Sequence, residues 1–379
     1  MGPLFLFAKI CPNSRRWPHA KYARGFLCQQ MFRVFRGSCG GVPRRGGSTQ
    51  RSAGAGGDLP LLNKKIFLVK KKVGAYNKSM SFLPKEFSQF ISPDAQRREF
   101  ICSWLEQHGV KAVVASIDGK NHILVQFPSS SYNPQFKIKT VIAHYDRVEN
   151  SPGANDNSAA DWQIMNWAVE LYNMQGFHNV RIFFTDGEEL GWNTGVSEQG
   201  AFGIANVFKR LGITNDDVYV FDSCGRGEIP VLANTEIPAK APKAFSSRFS
   251  DLFERTQEIL RRSSPGRWMC LPVPYSDNAA FLACGIPAVA ITMLPAKEAS
   301  LYARELNQHP DLKNAVMNRE SSKKERLSSG EKEYAYKERM PYTWRLFHTA
   351  YDNEDSLTPE SFRVMQNILR TIALSKTPL

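Results

Sequence analysis

The chain has 379 residues, with 49 Lys and Arg against 36 Asp and Glu, a formal net charge of +13 and 42% hydrophobic residues. That is a globular composition, long enough to bury a large core. No apolar run reaches the ~18–20 residues of a membrane-spanning helix, so no such span and no membrane partner is expected.

A charge of +13 would ordinarily direct attention to nucleic acid or an anionic surface. It is confined, however, to residues 1–79, which carry 16 basic groups against the single Asp58, a net of +15. The other 300 residues hold the remaining 33 basic and 35 acidic groups, a net of −2. A nucleic-acid partner therefore has no support in the body of the chain.

Residues 1–79 are rich in Arg and Gly, include Cys11, Cys28 and Cys39, and show no sustained periodicity, so no folded domain is expected there. Three readings compete: an Arg-rich, acid-poor organellar transit peptide, a disordered basic arm, or sequence upstream of the true start. Met80 stands directly ahead of Ser81-Phe82-Leu83-Pro84-Lys85-Glu86-Phe87, where ordinary globular composition begins, and this favours the last. Leu4 to Ala8 is too short an apolar stretch for a secretory signal. Residues 80–379 suffice for a single domain.

The first element predicted is a helix capped at Ser92-Pro93, with a stripe of Phe100, Ile101, Trp104 and Leu105, ending at Gly109. Lys139 to Ala143 reads as a short buried strand, and His144 and Asp146 follow at its C-terminal end. Being two apart, they share one face. Asp156 lies in Gly153-Ala154-Asn155-Asp156-Asn157-Ser158, which by itself reads as an Asx turn or helix cap. From Asn157 to Met174, apolar residues at Ala160, Ile164, Trp167, Ala168 and Leu171 give the rhythm of a one-faced helix.

A second strand, Val180 to Phe184, exits into Thr185-Asp186-Gly187-Glu188-Glu189, and a third, Val218 to Phe221, delivers Asp222. Strand-helix-strand spacing makes parallel pairing the default. In open α/β sheets ligands collect beyond the carboxyl ends of the strands, so acidic and imidazole groups at three successive strand ends can converge.

Composition turns charged and polar across residues 296–342, with Lys323-Lys324-Glu325-Arg326 and Glu331-Lys332-Glu333. A solvated helical insertion is the expectation, ahead of a mobile lid or a partner contact. Thr358-Pro359 opens the last helix, with Phe362, Met365, Leu369 and Ile372 facing inward. His178 and His309 lie outside any motif in polar, loop-like sequence and read as surface histidines. Cys102, Cys224, Cys270 and Cys284 are scattered without a paired spacing, which fits reduced thiols and a cytoplasmic location.

Together these residues suggest hydrolytic chemistry. Two divalent ions about 3.5–4 Å apart can generate a nucleophilic water and hold an oxyanion, and a carboxylate such as Asp156 can bridge them. Of two adjacent glutamates, one can ligate a metal while the other acts as general base.

The order of His144, Asp156, Glu188-Glu189, Asp222 and His348 resembles the zinc aminopeptidase family that includes bacterial leucyl aminopeptidase and aminopeptidase Y, with glutaminyl-peptide cyclotransferase as a relative. His348 lies in Phe347-His348-Thr349-Ala350-Tyr351-Asp352, similar to the family's His-Thr-x-x-Asp motif. The likeness runs from about Phe90 to Leu374 and takes in Tyr275-Ser276-Asp277 and the strand-like Gly285 to Ile291. It implies a three-layer α/β/α fold with a mixed, mainly parallel sheet. It implies further that His144 and Asp222 bind one zinc, Glu189 and His348 a second, and Asp156 both, with Glu188 as base. Asp146 and Asp352 would orient the ligands.

The chain departs from the family where Phe347 replaces a tyrosine found in some members, and where Asn278 replaces a frequent histidine. The expected function is a metallo-aminopeptidase acting on peptides or aminoacyl small molecules. The alternatives are a glutaminyl-cyclase-like transferase with one zinc, and a non-catalytic binding module on the same fold.

Overall fold

The computed structural model describes residues 82–189, 195–317 and 337–379. The basic leader, and residues 318–336 of the charged segment, lie outside them.

Eight strands form one sheet: β1 (Lys111–Ile117), β2 (Lys120–Gln126), β3 (Lys139–His144), β4 (Val180–Thr185), β5 (Asp217–Phe221), β6 (Ile229–Ala233), β7 (Met269–Leu271) and β8 (Ala288–Leu294). Their order across the sheet is β1-β2-β4-β3-β5-β8-β6-β7. β3 pairs parallel with both β4 and β5, β5 with β8, and β6 with β7. The pairs β1-β2, β2-β4 and β6-β8 are antiparallel. The sheet is mixed and mainly parallel.

The central strands are apolar on both sides because both sides are covered. On β3, Val141 and Ala143 join one core and Ile142 the other; on β5, Tyr219 and Phe221 face the first, Val218 and Val220 the second. The first layer is built on α1 (Lys85–Phe90), α2 (Arg97–Gln107), α3 (Ala159–Tyr172), α5 (Lys243–Ser263) and α10 (Pro359–Leu374). The second is built on α4 (Gly200–Arg210), α6 (Asn278–Ala283), α7 (Ala296–Gln308), α8 (Asp311–Met317) and the short α9 (Tyr342–Arg345). Helix, sheet and helix make three layers.

Three expectations need correction. Ser92-Pro93 does not cap the first helix: it lies in the turn between α1 and α2, and α2 begins at Arg97. The charged segment starts as helices, as expected, but is not solvated all round, because α7 and α8 bury Ala299, Tyr302, Leu312 and Val316 in the second core. His178 is a core residue, 1% exposed. Its Nδ1 accepts the N–H of Val180 at 3.0 Å, and its ring packs edge-on against Phe127 and Tyr132. His309 is partly exposed, 3.8 Å from Glu305.

The last helix opens on Pro359 as its first residue, and Met365, Ile368, Leu369 and Ile372 are buried. Cys102, Cys224, Cys270 and Cys284 are free thiols. No helix among the described residues is long and apolar enough to cross a membrane.

Candidate metal centre

β4, β3 and β5 lie side by side and run the same way, so their C-terminal ends open on one edge of the sheet. His144 is the last residue of β3, in register with Thr185 at the end of β4. Glu188 and Glu189 follow β4 after Gly187, whose φ of +79° turns the chain back over the strand ends. Asp222 follows directly on β5.

Asp156 comes from the loop joining β3 to α3, in a single turn spanning Ala154–Ser158, and its peptide bond to Asn157 is cis. Asn157 ties this turn to the exit of β5: its Nδ2 donates to Phe221 O at 2.8 Å, and its Oδ1 accepts from Ser223 N at 3.1 Å. His348 arrives from the segment between α9 and α10.

These side chains meet. His144 Nε2 lies 3.3 Å from Asp156 Oδ1 and 3.8 Å from Asp222 Oδ1. His348 Nε2 lies 3.5 Å from Asp156 Oδ2 and 3.1 Å from Glu189 Oε1. The two oxygens of Asp156 thus face two different imidazoles. Ligand atoms of His144, Asp156 and Asp222 fall within 4.8 Å of one another, as do those of Asp156, Glu189 and His348, and those of His144, Glu188 and Glu189.

Asp146 and Asp352 play matching parts beneath this cluster. Asp146 accepts the main-chain N–H of Glu188 at 3.2 Å and of Glu189 at 2.9 Å, while its Oδ1 lies 3.5 Å from His144 Nδ1. Asp352 accepts the N–H of Asn155 at 2.8 Å and of Asp156 at 3.0 Å. Each carboxylate grips two consecutive amides of a ligand-bearing loop.

So many carboxylates in a buried site strain against one another. Burial alone would lower His144, but Asp146, Asp156 and Asp222 outweigh it and hold the imidazole protonated well above its ordinary range. Burial would raise Asp156, yet His144 and His348 pull it well below the usual carboxylate range. His348, opposed by burial, is pushed up to about 10 by Asp156 and Glu189. Burial and the charge of Asp156 push Glu189 up to about 8 and Asp352 to about 7.

The donor set fits a divalent ion that accepts both imidazole and carboxylate oxygen, as zinc does. His144 is the sharpest evidence for this. It is 1% exposed, and both ring nitrogens face carboxylates at 3.3–3.8 Å without a well-formed hydrogen bond to any of them, an arrangement that a cation seated between them would complete.

Of the further groups in and around the centre, Gln199 and His122 carry no sequence motif, while Asp277 lies in the Tyr275-Ser276-Asp277 stretch of the resemblance. Gln199 Nε2 donates to Glu188 Oε1 at 3.1 Å. His122, fully buried on β2 and depressed to about 4 by that burial, accepts the N–H of Asp186 on Nδ1 at 3.2 Å. Asp277, raised to about 7 chiefly by burial, accepts the hydroxyl of Thr185. His122 stands between the polar Lys120-Asn121 and the apolar Ile123-Leu124-Val125 of β2, and nothing in that local sequence marks it.

A family model described as peptidase family M28 matches residues 123–373. Among solved structures, the chain is similar to the Legionella pneumophila LapA aminopeptidase, with 14% identity over 76% of this chain and 69% of that one, and a TM-score of 0.50. It is also similar to BSAP, a zinc aminopeptidase from Bacillus subtilis, with 15% identity over 68% and 50% of the two chains and a TM-score of 0.42. Porphyromonas gingivalis glutaminyl cyclase aligns with 14% identity over 76% and 94%, with a TM-score of 0.47. The likeness to LapA, at 14% identity, speaks for the fold. The search of curated proteins returned no match.

Proposed function

The chain belongs to peptidase family M28, and from that premise we propose that it is a metal-dependent exopeptidase, specifically an aminopeptidase with two zinc ions. One observation carries the two-ion reading: Asp156 offers one oxygen to the side of His144 and the other to the side of His348, so both ligand sets are complete. In this reading His144 and Asp222 hold one ion, Glu189 and His348 the other, and Asp156 both. A single-zinc transferase would leave one set without a task.

Zinc bound at such a site supplies a water of lowered pKa and Lewis-acid stabilisation of the oxyanion. Everything else falls to side chains. Glu188, 3% exposed, accepts a proton from the attacking water on its carboxylate. The same proton then passes to the nitrogen of the scissile bond as that bond breaks and the amine leaves. Gln199 and the grip of Asp146 on the Glu188 amide fix the direction in which that carboxylate points. Phe347 brings no hydroxyl to the oxyanion, so this chain does without the tyrosine present in some relatives.

The test is metal content together with hydrolysis of aminoacyl-anilides and dipeptides, on protein purified without chelator. Two zinc per chain and chelator-sensitive release of N-terminal residues are expected. One zinc with cyclisation of N-terminal glutamine would move the reading to the transferase, and no metal would leave a binding module.

A further inference from the structure

His144 and Asp156 are the two ends of one loop, and something must set the distance between them. The loop leaves β3 at Tyr145 and returns through Pro152 and Gly153 to Asp156. Arg97, on α2 and 6% exposed, reaches into the gap between the two limbs. Its Nη1 donates to Tyr145 O at 3.0 Å, next to His144. Its Nη2 donates to Pro152 O at 2.7 Å and Ser158 Oγ at 2.6 Å, with Gly153 O at 3.5 Å, on the limb that presents Asp156. Ser158 Oγ in turn donates to Gly153 O at 2.6 Å.

The fit leaves no slack. Gly153 adopts φ +58°, and a Cβ there would stand 2.6 Å from Asp156 O and 3.4 Å from Arg97 Nη2. Arg147, on the same loop, donates to Ile91 O at 2.9 Å and to Ser92 O and Pro93 O at 2.8 Å, which anchors the loop to the turn ahead of α2. Asp352 grips the Asp156 amide from the other side.

We propose that Arg97 is a positioning residue of the metal centre: its planar fork spans the loop and fixes the separation of His144 and Asp156, the ligands on which both ions depend. Only a guanidinium presents several donors in a rigid plane; a lysine ammonium keeps the charge but not the span. Arg97 lies N-terminal to the matched region of residues 123–373, and the inference rests on the two-zinc reading.

The experiment measures zinc affinity of the full chain by competition with a chromophoric chelator, for wild type, Arg97→Lys and Ser158→Ala, at a temperature where circular dichroism shows each apoprotein folded. Groups that orient ligands from behind typically contribute about 10–100-fold in metal affinity, so a loss of that order is expected for Arg97→Lys and a smaller loss for Ser158→Ala. A residue that only stabilised the fold would lower the apoprotein's Tm and leave the zinc affinity of folded protein unchanged. Folded Arg97→Lys with wild-type affinity overturns the proposal. If Arg97→Lys does not fold, Ser158→Ala decides: weakened zinc binding supports the proposal and unchanged binding overturns it. A wild type that takes up no zinc would instead overturn the metal reading itself, and this inference with it.

Discussion

His348 Nε2 lies 3.1 Å from Glu189 Oε1, although 159 residues separate them in the chain. The histidine adopts φ +61°, a left-handed conformation uncommon outside glycine. Contacts to the Asp156 loop hold it there: Ser151 Oγ donates to Thr349 O at 3.1 Å, and Ala154 N to Asp352 O at 3.0 Å. The last ligand is thus fastened to the loop that carries the shared one.

That asymmetry predicts distinct metal losses. His348→Ala, which removes a ligand from one set only, is expected to retain one zinc after dialysis. Asp156→Asn, which weakens both sets, should retain less than one. Atomic absorption on the dialysed variants checks this, and two zinc in His348→Ala would exclude the assignment.

Glu188→Gln keeps the size and the main-chain bond to Asp146 but cannot take a proton. Zinc content should match wild type while turnover falls by about 10²–10⁴-fold. Turnover within tenfold of wild type would place the general base elsewhere.

Crowded carboxylates with no cation repel one another, so zinc binding should stabilise the fold. Mass action gives about 2.7 kcal/mol at a hundredfold excess over Kd. Calorimetric Tm is therefore expected to rise with zinc and fall on chelation; a Tm indifferent to both would mean that the cluster binds no ion in the folded state.

His178 supplies a pH dependence remote from the centre. Burial first, and the charge of Lys139 second, lower it to about 4. The unfolded chain, with an ordinary histidine near 6.5, therefore binds a proton between these values that the folded chain refuses. Stability from His178 is complete above about pH 6.5 and declines as pH falls toward 4, by at most about 3 kcal/mol. His178→Asn retains an acceptor for Val180 N, and urea midpoints between pH 7 and 4.5 should decline less steeply than in wild type. Equal slopes would exclude His178 as the source.

Gly200 opens α4, its N–H donating to Gly187 O at 3.1 Å, and a Cβ there would stand 1.8 Å from Asp186 O. Gly200→Ala must displace the turn that carries Glu188 and Glu189. A loss of about 1–3 kcal/mol in stability is expected, with a drop in kcat larger than in wild type destabilised equally by urea. A variant with unchanged kcat would show that the turn tolerates movement.

The strands that bear the site were readable because Lys139–Ala143, Val180–Phe184 and Val218–Phe221 are short apolar runs, and buried parallel strands have that signature. His144, Glu189 and Asp222 could be placed at strand ends from the residues themselves, whereas the inclusion of Asp156 and His348 in one set was implied by the resemblance to the zinc aminopeptidases. Arg97, His122 and Gln199 were legible in neither way. Their partners are main-chain atoms or side chains brought close only by the finished fold, and no local pattern in residues 97–199 encodes such a meeting. His178 was misread for a related reason: a polar loop sequence conceals a ring that turns inward to accept one amide. Ser92-Pro93 has the chemistry of a cap, yet α1 already occupies the preceding residues and the pair becomes a turn.

Asp146 and Asp352 hold amides, not the side chains that project from them. The path of the chain through Asp156 and Glu188-Glu189 is therefore held largely at the main chain, and Asn155 adds a side-chain tie, its Oδ1 accepting Gly225 N–H at 2.7 Å. Scaffold and reagent are separable here: side chains at 156, 188 and 189 can be exchanged for other chemistry while the held amides keep the loops on course, which makes this edge of the sheet a natural place to graft a different ligand set.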